Sequence, residues 1–236
     1  MDKVNAPKRF YKDAAVRTEG TGFAIELDGR PIKTPAKATL TVPTEQLAET
    51  IASEWRAQGD SLDLQGMTLT RLANVALDRT PHTRADLAEE LSRYAGTDVT
   101  CYLAQSPTEL QKRQEAAWKP WRDWAGKELG VVLVPVVGLM ASPQPESSLQ
   151  AVRDYALTCD DFRLTALTWG CSLFGSTVLA LAVEQGQLSA GEALRASCID
   201  EDWQIEQWGE DEEARAVRAG RARDADALQQ WFEALR

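Results

Sequence analysis

The sequence predicts an α+β protein, with a small N-terminal β-containing domain followed by a larger, mainly helical one. Three observations carry this. Apolar residues alternate near the start, at Phe23, Ile25 and Leu27 in "TGFAIELDGRPIKT", as in a half-buried strand. From "EQLAETIASEWRAQ" onward the apolar spacing switches to the three-and-four rhythm of helices. The 236 residues are 44% hydrophobic and 26% charged, proportions with which a soluble chain encloses a real core. We place the boundary so that residues 1–66 form the β-rich domain, with one helix, and 67–236 the helical domain.

Asp28-Gly29 is a hairpin signal, because both residues tolerate the positive φ that a tight turn requires. A second short strand, "ATLTV", ends at Pro43, and Thr44 is placed to cap the helix bearing Leu47, Ile51 and Trp55. Gly59 stops that helix. Periodic apolar positions then mark helices in "TLTRLANVALDR", "RADLAEELSRYAG" and "SPTELQKRQEAAWKPWRDWAGKELG", with a β-like "TDVTCYLA" between the last two. "GVVLVPVVGLM" is too short to span a membrane and too β-branched to favour a helix, and the linker "ASPQPESS" follows it. A short helix is expected over 149–157, and Asp160-Asp161 open the next one.

From Leu164 to Val183, twenty residues pass without a charge, the length of a transmembrane helix. Five are Ser or Thr, two are Gly, and no basic cluster flanks the run. We expect one buried central helix and no stable membrane insertion. The final segment, "EARAVRAGRARDADALQQWFEALR", is a charged amphipathic helix whose Arg215, Arg218, Arg221 and Arg223 answer nearby acids.

Those acids pose the functional question. "DEDWQIEQWGEDEE", residues 200–213, sets eight carboxylates and two tryptophans together without a Lys or Arg. A continuous helix from Ser189 to Trp208 is expected, with a seam of Leu194, Cys198, Glu201, Ile205 and Trp208, of which Leu194, Cys198 and Ile205 are buried. Glu201 then interrupts an apolar stripe and must reach solvent or find a cation. Trp203 points roughly away from the seam and needs a second surface.

Much chemistry finds no support. A net charge of −10 disfavours nucleic acid and anionic lipid as partners and suits a basic one. The single histidine, His82, lies where a helix begins, so no catalytic residue is assigned. Cys101, Cys159, Cys171 and Cys198 form no Cys-x-x-Cys pair and are read as reduced, buried thiols of a cytosolic protein, with no metal. No phosphate-binding loop or nucleophile elbow is present, and no cofactor is expected. A hydrolase using acids of residues 200–213 stays as the alternative. "MDKVNAPKRFYKD" lacks the apolar core of a secretory signal, so a bacterial cytoplasmic or processed organellar protein is expected.

Several segments in order resemble one family: "ASEWRAQ", "TLTRLANVALDR", "YAGTDVTCYLA", "SPTELQKRQEAAWKPWRDW", "LFGSTVLALAVEQGQLSAGEAL" and "DEDWQIEQWG". The set is similar to the ATP-twelve assembly factors of ATP synthase, over about Arg9 to Gly209. The resemblance implies a chaperone, not an enzyme, that binds the free alpha subunit of the ATP synthase catalytic head and shields it until it meets the beta subunit. A monomer when free, in the bacterial cytoplasm, is expected, with eukaryotic relatives in the mitochondrial matrix. By motif the resemblance maps the telling acid onto Glu201, with Trp203, Gln204, Trp208 and Gly209 around it; these, with Asp202 and Glu206 of the same acidic segment, are the expected partner-binding residues. Trp55 maps as a structural residue. After Gly209 this sequence departs from the family pattern, so Glu210 to Glu213 receive no role from it.

Overall fold

The structure, a computed structural model, describes residues 7–138, 140 and 142–236. The fold is α+β, as the sequence predicts, with its main sheet at the N-terminus and helices thereafter. Part of the segment used to exclude a secretory signal, residues 1–6, lies outside the described residues.

Two compact units divide the chain, one of residues up to His82 with Gln230–Arg236, the other Thr83–Gln229. In the first, β1 (Ala14–Glu19) and β2 (Gly22–Leu27) pair antiparallel from Ala14 opposite Leu27 to Glu19 opposite Gly22. Asp28 and Gly29 both take positive φ, 49° and 77°, and return the chain into β3 (Arg30–Pro31). The Asp28 carboxylate also accepts the backbone N–H groups of Lys12 and Asp13, tying the incoming chain to the turn. β4 (Thr41–Val42) pairs with β2 as well. Helix α1 (Glu45–Arg56) starts where Thr44 Oγ1 accepts the Leu47 N–H at 3.2 Å. It buries Leu47, Ile51 and Trp55, and Ile25 and Leu40 from the sheet side are also fully enclosed. Tyr11 meets the Trp55 ring edge-on at 5.7 Å, and its hydroxyl donates to the Trp55 carbonyl. Helix α2 (Thr68–Asp78) packs against α1, its first N–H groups received by the Glu54 carboxylate.

Helix α3 (Thr80–Gly96) leaves helical backbone values at Thr83. Beyond it, "TDVTCYLA" is only half extended, a 3-10 turn over Val99–Cys101 and then the two-residue β5 (Tyr102–Leu103). β5 pairs in parallel with β6 (Val136–Val137), inside the β-branched stretch that follows α4 (Thr108–Leu129). Helix α5 (Glu146–Thr158) begins three residues before the predicted start, inside the proposed linker.

The uncharged run departs from expectation. It forms two helices, α6 (Asp161–Phe174) and α7 (Thr177–Glu184), instead of one. Gly175 turns left-handed at φ 61°, and Ser176 Oγ accepts the Leu179 N–H to start α7 afresh. The burial expectation holds, since every residue of α7 is buried and α7 packs against α4, α6 and α8 (Ala190–Ser197). Among the described residues no helix is long and apolar enough to cross a membrane.

The predicted continuous helix over 189–208 also divides, into α8 and α9 (Ile199–Trp208). Its start is as expected, a capping box in which Ser189 and Glu192 satisfy each other's backbone. Of Leu194, Cys198 and Ile205, only Cys198 is buried, and the other two are half-buried. The last helix, α10 (Glu212–Ala234), closes the chain.

Candidate functional site: the acidic helix and its neighbours

Helix α9 differs from every other helix of the second unit in burying none of its residues. Its start is set by the α8 break. Cys198 sits at φ −100°, ψ 12°, its N–H shared between the Leu194 and Arg195 carbonyls. The fully buried Trp118 of α4 donates its indole N–H to the Ala196 carbonyl at 2.7 Å. That carbonyl is one of those a helix end leaves without an internal partner, so a side chain from a distant helix compensates the break.

On the α4 side, Asp200 accepts the Gln114 amide N–H at 2.5 Å. Gln114 is itself buried, and its oxygen receives the Ala104 N–H. Burial pushes the Asp200 carboxyl above the usual range, opposed by the hydrogen bond from Gln114. Glu206 takes both hydrogen bonds from one nitrogen of Arg113, at 2.8 and 2.9 Å, and the same guanidinium lies 4.8 Å from the Trp203 ring centre. The second surface that Trp203 requires is therefore a cation on α4.

On the α10 side, Glu201 pairs with Arg221 at 2.9 Å and Asp202 with Arg218 at 2.8 Å. Arg215 and Arg218 also approach Glu210. The expected answer of the C-terminal helix's basic face to the acids is present at Arg215, Arg218 and Arg221. Glu201 is exposed and reaches its cation instead of sitting in a dry seam.

At the end of α9 the chain turns at Gly209, whose φ of 83° and ψ of 172° belong to a region open essentially to glycine. Beyond it Asp211 accepts the Ala214 N–H and starts α10. Between α9 and α10 lies a groove of about 560 Å³. Ile205, Trp208 and Val217 give it an apolar lining, and Glu201, Glu210, Asp211 and Glu213 stand around it together with Arg218 and Arg221. Trp208 is 79% exposed and Val217 58%.

The residues singled out from sequence thus share one helix but not one face. Glu201, Gln204, Trp208 and Gly209 line this groove, whereas Trp203 and Glu206 meet Arg113 of α4. Asp202 lines a separate groove against Ala219 and Ala222 of α10. Sequence reasoning missed Arg113, Gln114 and Val217. Val217 and Ala214, three apart on the tail helix, were the one local signal for the far wall of the groove. Among the described residues no cluster of His, Cys, Asp and Glu has the makings of a metal site. All four cysteines are free and buried, and burial pushes the Cys101 and Cys159 thiols up to about 12.

Comparison with known proteins places this architecture. Residues 8–126 match the family model described as ATP12 chaperone protein. The chain belongs to the ATP12 chaperone family. The crystal structure of Atp12 from Paracoccus denitrificans is 38% identical, with a TM-score of 0.91 over 98% of this chain and 99% of that one. An aspartate-to-lysine mutant of the same bacterium's Atp12p superposes with a TM-score of 0.88, over 96% of this chain and 98% of the mutant. The Atu1473 protein from Agrobacterium tumefaciens is 40% identical, with a TM-score of 0.91 over 98% of this chain and 87% of its own. The mitochondrial protein atp12 of Schizosaccharomyces pombe is 26% identical over 222 residues, 89% of this chain and 76% of the relative. ATP12 similarity therefore extends through both units, including the helices that carry the acids.

Proposed function

We propose that this chain is an assembly chaperone that binds the free alpha subunit of the ATP synthase catalytic head and shields it until the beta subunit takes its place. Membership of the ATP12 chaperone family supports the chaperone role. The observation that carries the site is helix α9, which buries nothing and ends in an exposed tryptophan among carboxylates. A monomeric protein has little reason to keep a large aromatic side chain in water unless another surface covers it. Glu201, Asp202, Trp203, Gln204, Glu206, Trp208 and Gly209 are the residues we assign to the partner face.

Apolar contact supplies holding energy, and the acids steer a partner of opposite charge and weaken the grip as ionic strength rises. In this reading the protein works as a free monomer in the bacterial cytoplasm, the eukaryotic relatives in the mitochondrial matrix. It needs no metal, cofactor or catalytic turnover. ATP hydrolysis that followed the protein through purification would contradict that.

The test is charge reversal at Glu201. In Glu201→Lys the ion pair with Arg221 becomes a repulsion on an exposed surface, worth about 1 kcal/mol or less to the isolated fold. If the partner meets this carboxylate out of water, binding falls by about 2–5 kcal/mol. We expect nearly unchanged melting and lost protection of isolated alpha subunit from aggregation. Normal melting with normal protection would reduce the acids to a solvated face. A variant that unfolds, yet protects under conditions where it is folded, would make Glu201 structural.

A further inference from the structure

We infer that the groove between α9 and α10 receives an amphipathic helical segment of the client, with apolar side chains on Ile205, Trp208 and Val217 and a lysine or arginine at the acidic rim. This rests on the chaperone reading above and narrows where, and to what chemistry, the client attaches.

Most carboxylates around the groove already have a cation. Glu201 and Asp202 are held by Arg221 and Arg218, Glu206 by Arg113, and Glu210 lies beside Arg215 and Arg218. Among the described residues, Asp211 and Glu213 pair with no cation. One oxygen of Asp211 starts α10, and the charge of both favours the N-terminus of that helix, which gives them a local reason to be acidic. That reason does not extend to the apolar residues they surround. Trp208 comes from the end of α9 and Val217 from the second turn of α10, and both stay mostly exposed on the wall of a shared concavity.

Arg218 and Arg221 also line the groove but are held by Asp202, Glu210 and Glu201, so the charge left open beside the apolar floor is acidic; it repels an acidic occupant and disfavours a purely apolar one, which would strand it without water. A segment with an apolar face and a cation at its edge satisfies both parts, and a helix laid in a groove is the common way to present them. The net charge of −10 points the same way at long range.

The test uses the full-length chain, labelled with nitrogen-15, and two helical peptides of equal length and identical leucine pattern. One carries lysine at its polar positions, the other glutamate. Trp208→Phe identifies the Trp208 indole N–H signal. The lysine peptide should move that signal saturably, with affinity falling roughly tenfold or more between low and high salt, and the glutamate peptide should not. An Asp211→Asn, Glu213→Gln double variant should bind the lysine peptide roughly fivefold more weakly. Equal response to both peptides, or no movement of the Trp208 signal, overturns the inference. A second measurement separates it from the parent reading. If wild type protects isolated alpha subunit and a folded Trp208→Ala, Val217→Ser variant protects equally well, the groove is wrong and the chaperone reading stands. If wild type gives no protection, the alpha-subunit reading fails, while the peptide result still decides what the groove accepts.

Discussion

The α6–α7 pair and the α8–α9 pair are two versions of one event, a helix interrupted after its first segment, with opposite surroundings. Between α6 and α7 the break is sealed. Gly175, half-buried, takes a left-handed turn, Ser176 caps the next helix, and the Asp98 carboxylate accepts the Val178 N–H from outside the pair, with Ser176, Val178 and Asp98 all buried. Between α8 and α9 there is neither a glycine nor a side-chain cap, and the helix that follows buries nothing. The contrast marks where fold and surface chemistry separate. A sealed break must satisfy its polar groups within the chain, because none can reach water. The open one needs only Trp118 at the Ala196 carbonyl and leaves the rest to solvent and arginines.

If that contrast is right, the most damaging single change lies at the sealed break. Asp98 accepts from the Thr100 N–H and hydroxyl as well as from Val178, and none of it is exposed. Asp98→Ala should cost about 3 kcal/mol or more by stranding buried donors, read as a fall in the urea midpoint. A loss under about 1 kcal/mol would show the junction to be less sealed than the geometry implies. Gly175→Ala should come next, at about 1–2 kcal/mol. A Cβ there finds its nearest atom at 4.0 Å, so the cost is conformational and not steric. Any l-residue should therefore suffer similarly, Asn least.

The open break should be insensitive by comparison. Trp208→Ala is expected to change stability by less than about 0.5 kcal/mol, in thermal or chemical unfolding, because the side chain already stands in water. A loss near that of a core tryptophan would mean that α9 is packed after all.

The smallest effect is a pH dependence. The folded chain holds the Asp200 proton more tightly than the unfolded chain, since burial raises its pKa. The ionisation penalty is thus absent well below about pH 4, the ordinary carboxylate value. It enters as the pH climbs from there through the raised folded value, and stays constant above it. Asp200→Asn keeps an oxygen for Gln114 and carries no such penalty, so its melting temperature should gain on wild type as pH rises from 4 to 7. A gap that narrows over that range would reverse the sign and refute the assignment.

The same two breaks measure how far the sequence was legible. The first is written locally, in Gly175-Ser176, but the absence of charge from Leu164 to Val183 is the stronger signal and masks it. The second was not written locally at all. Nothing in "RASCIDED" stops a helix, and the partner that compensates the lost carbonyl contact is Trp118, far earlier in the chain. Carrying a phase of about 100° per residue through Cys198 put Leu194 and Ile205 in a buried seam. Both are half-buried instead.

Short-range chemistry fared better. The Asp28-Gly29 turn, the Thr44 cap and the Ser189 start all follow from backbone and hydrogen-bonding preferences of neighbouring residues. For the candidate site, the acids and the arginines of the tail were visible as charge. Their pairing with Arg113 and Gln114 was not, because spans of 93 and 86 residues leave no periodicity to read.

Buried thiols turn these two junctions into a pair of built-in clocks. Cys171 lies in α6 four residues before Gly175, and Cys198 is the α8–α9 junction itself. Both are free, buried and held in the unreactive thiol form, with burial the main cause in each. A thiol-specific label added to the native protein must therefore wait for each junction to breathe, and the waiting time reports the free energy of that opening alone. Modification at Cys198 should run ahead of modification at Cys171. Peptide mapping over time would then rank the opening of the two helix pairs in unmutated protein, without denaturant.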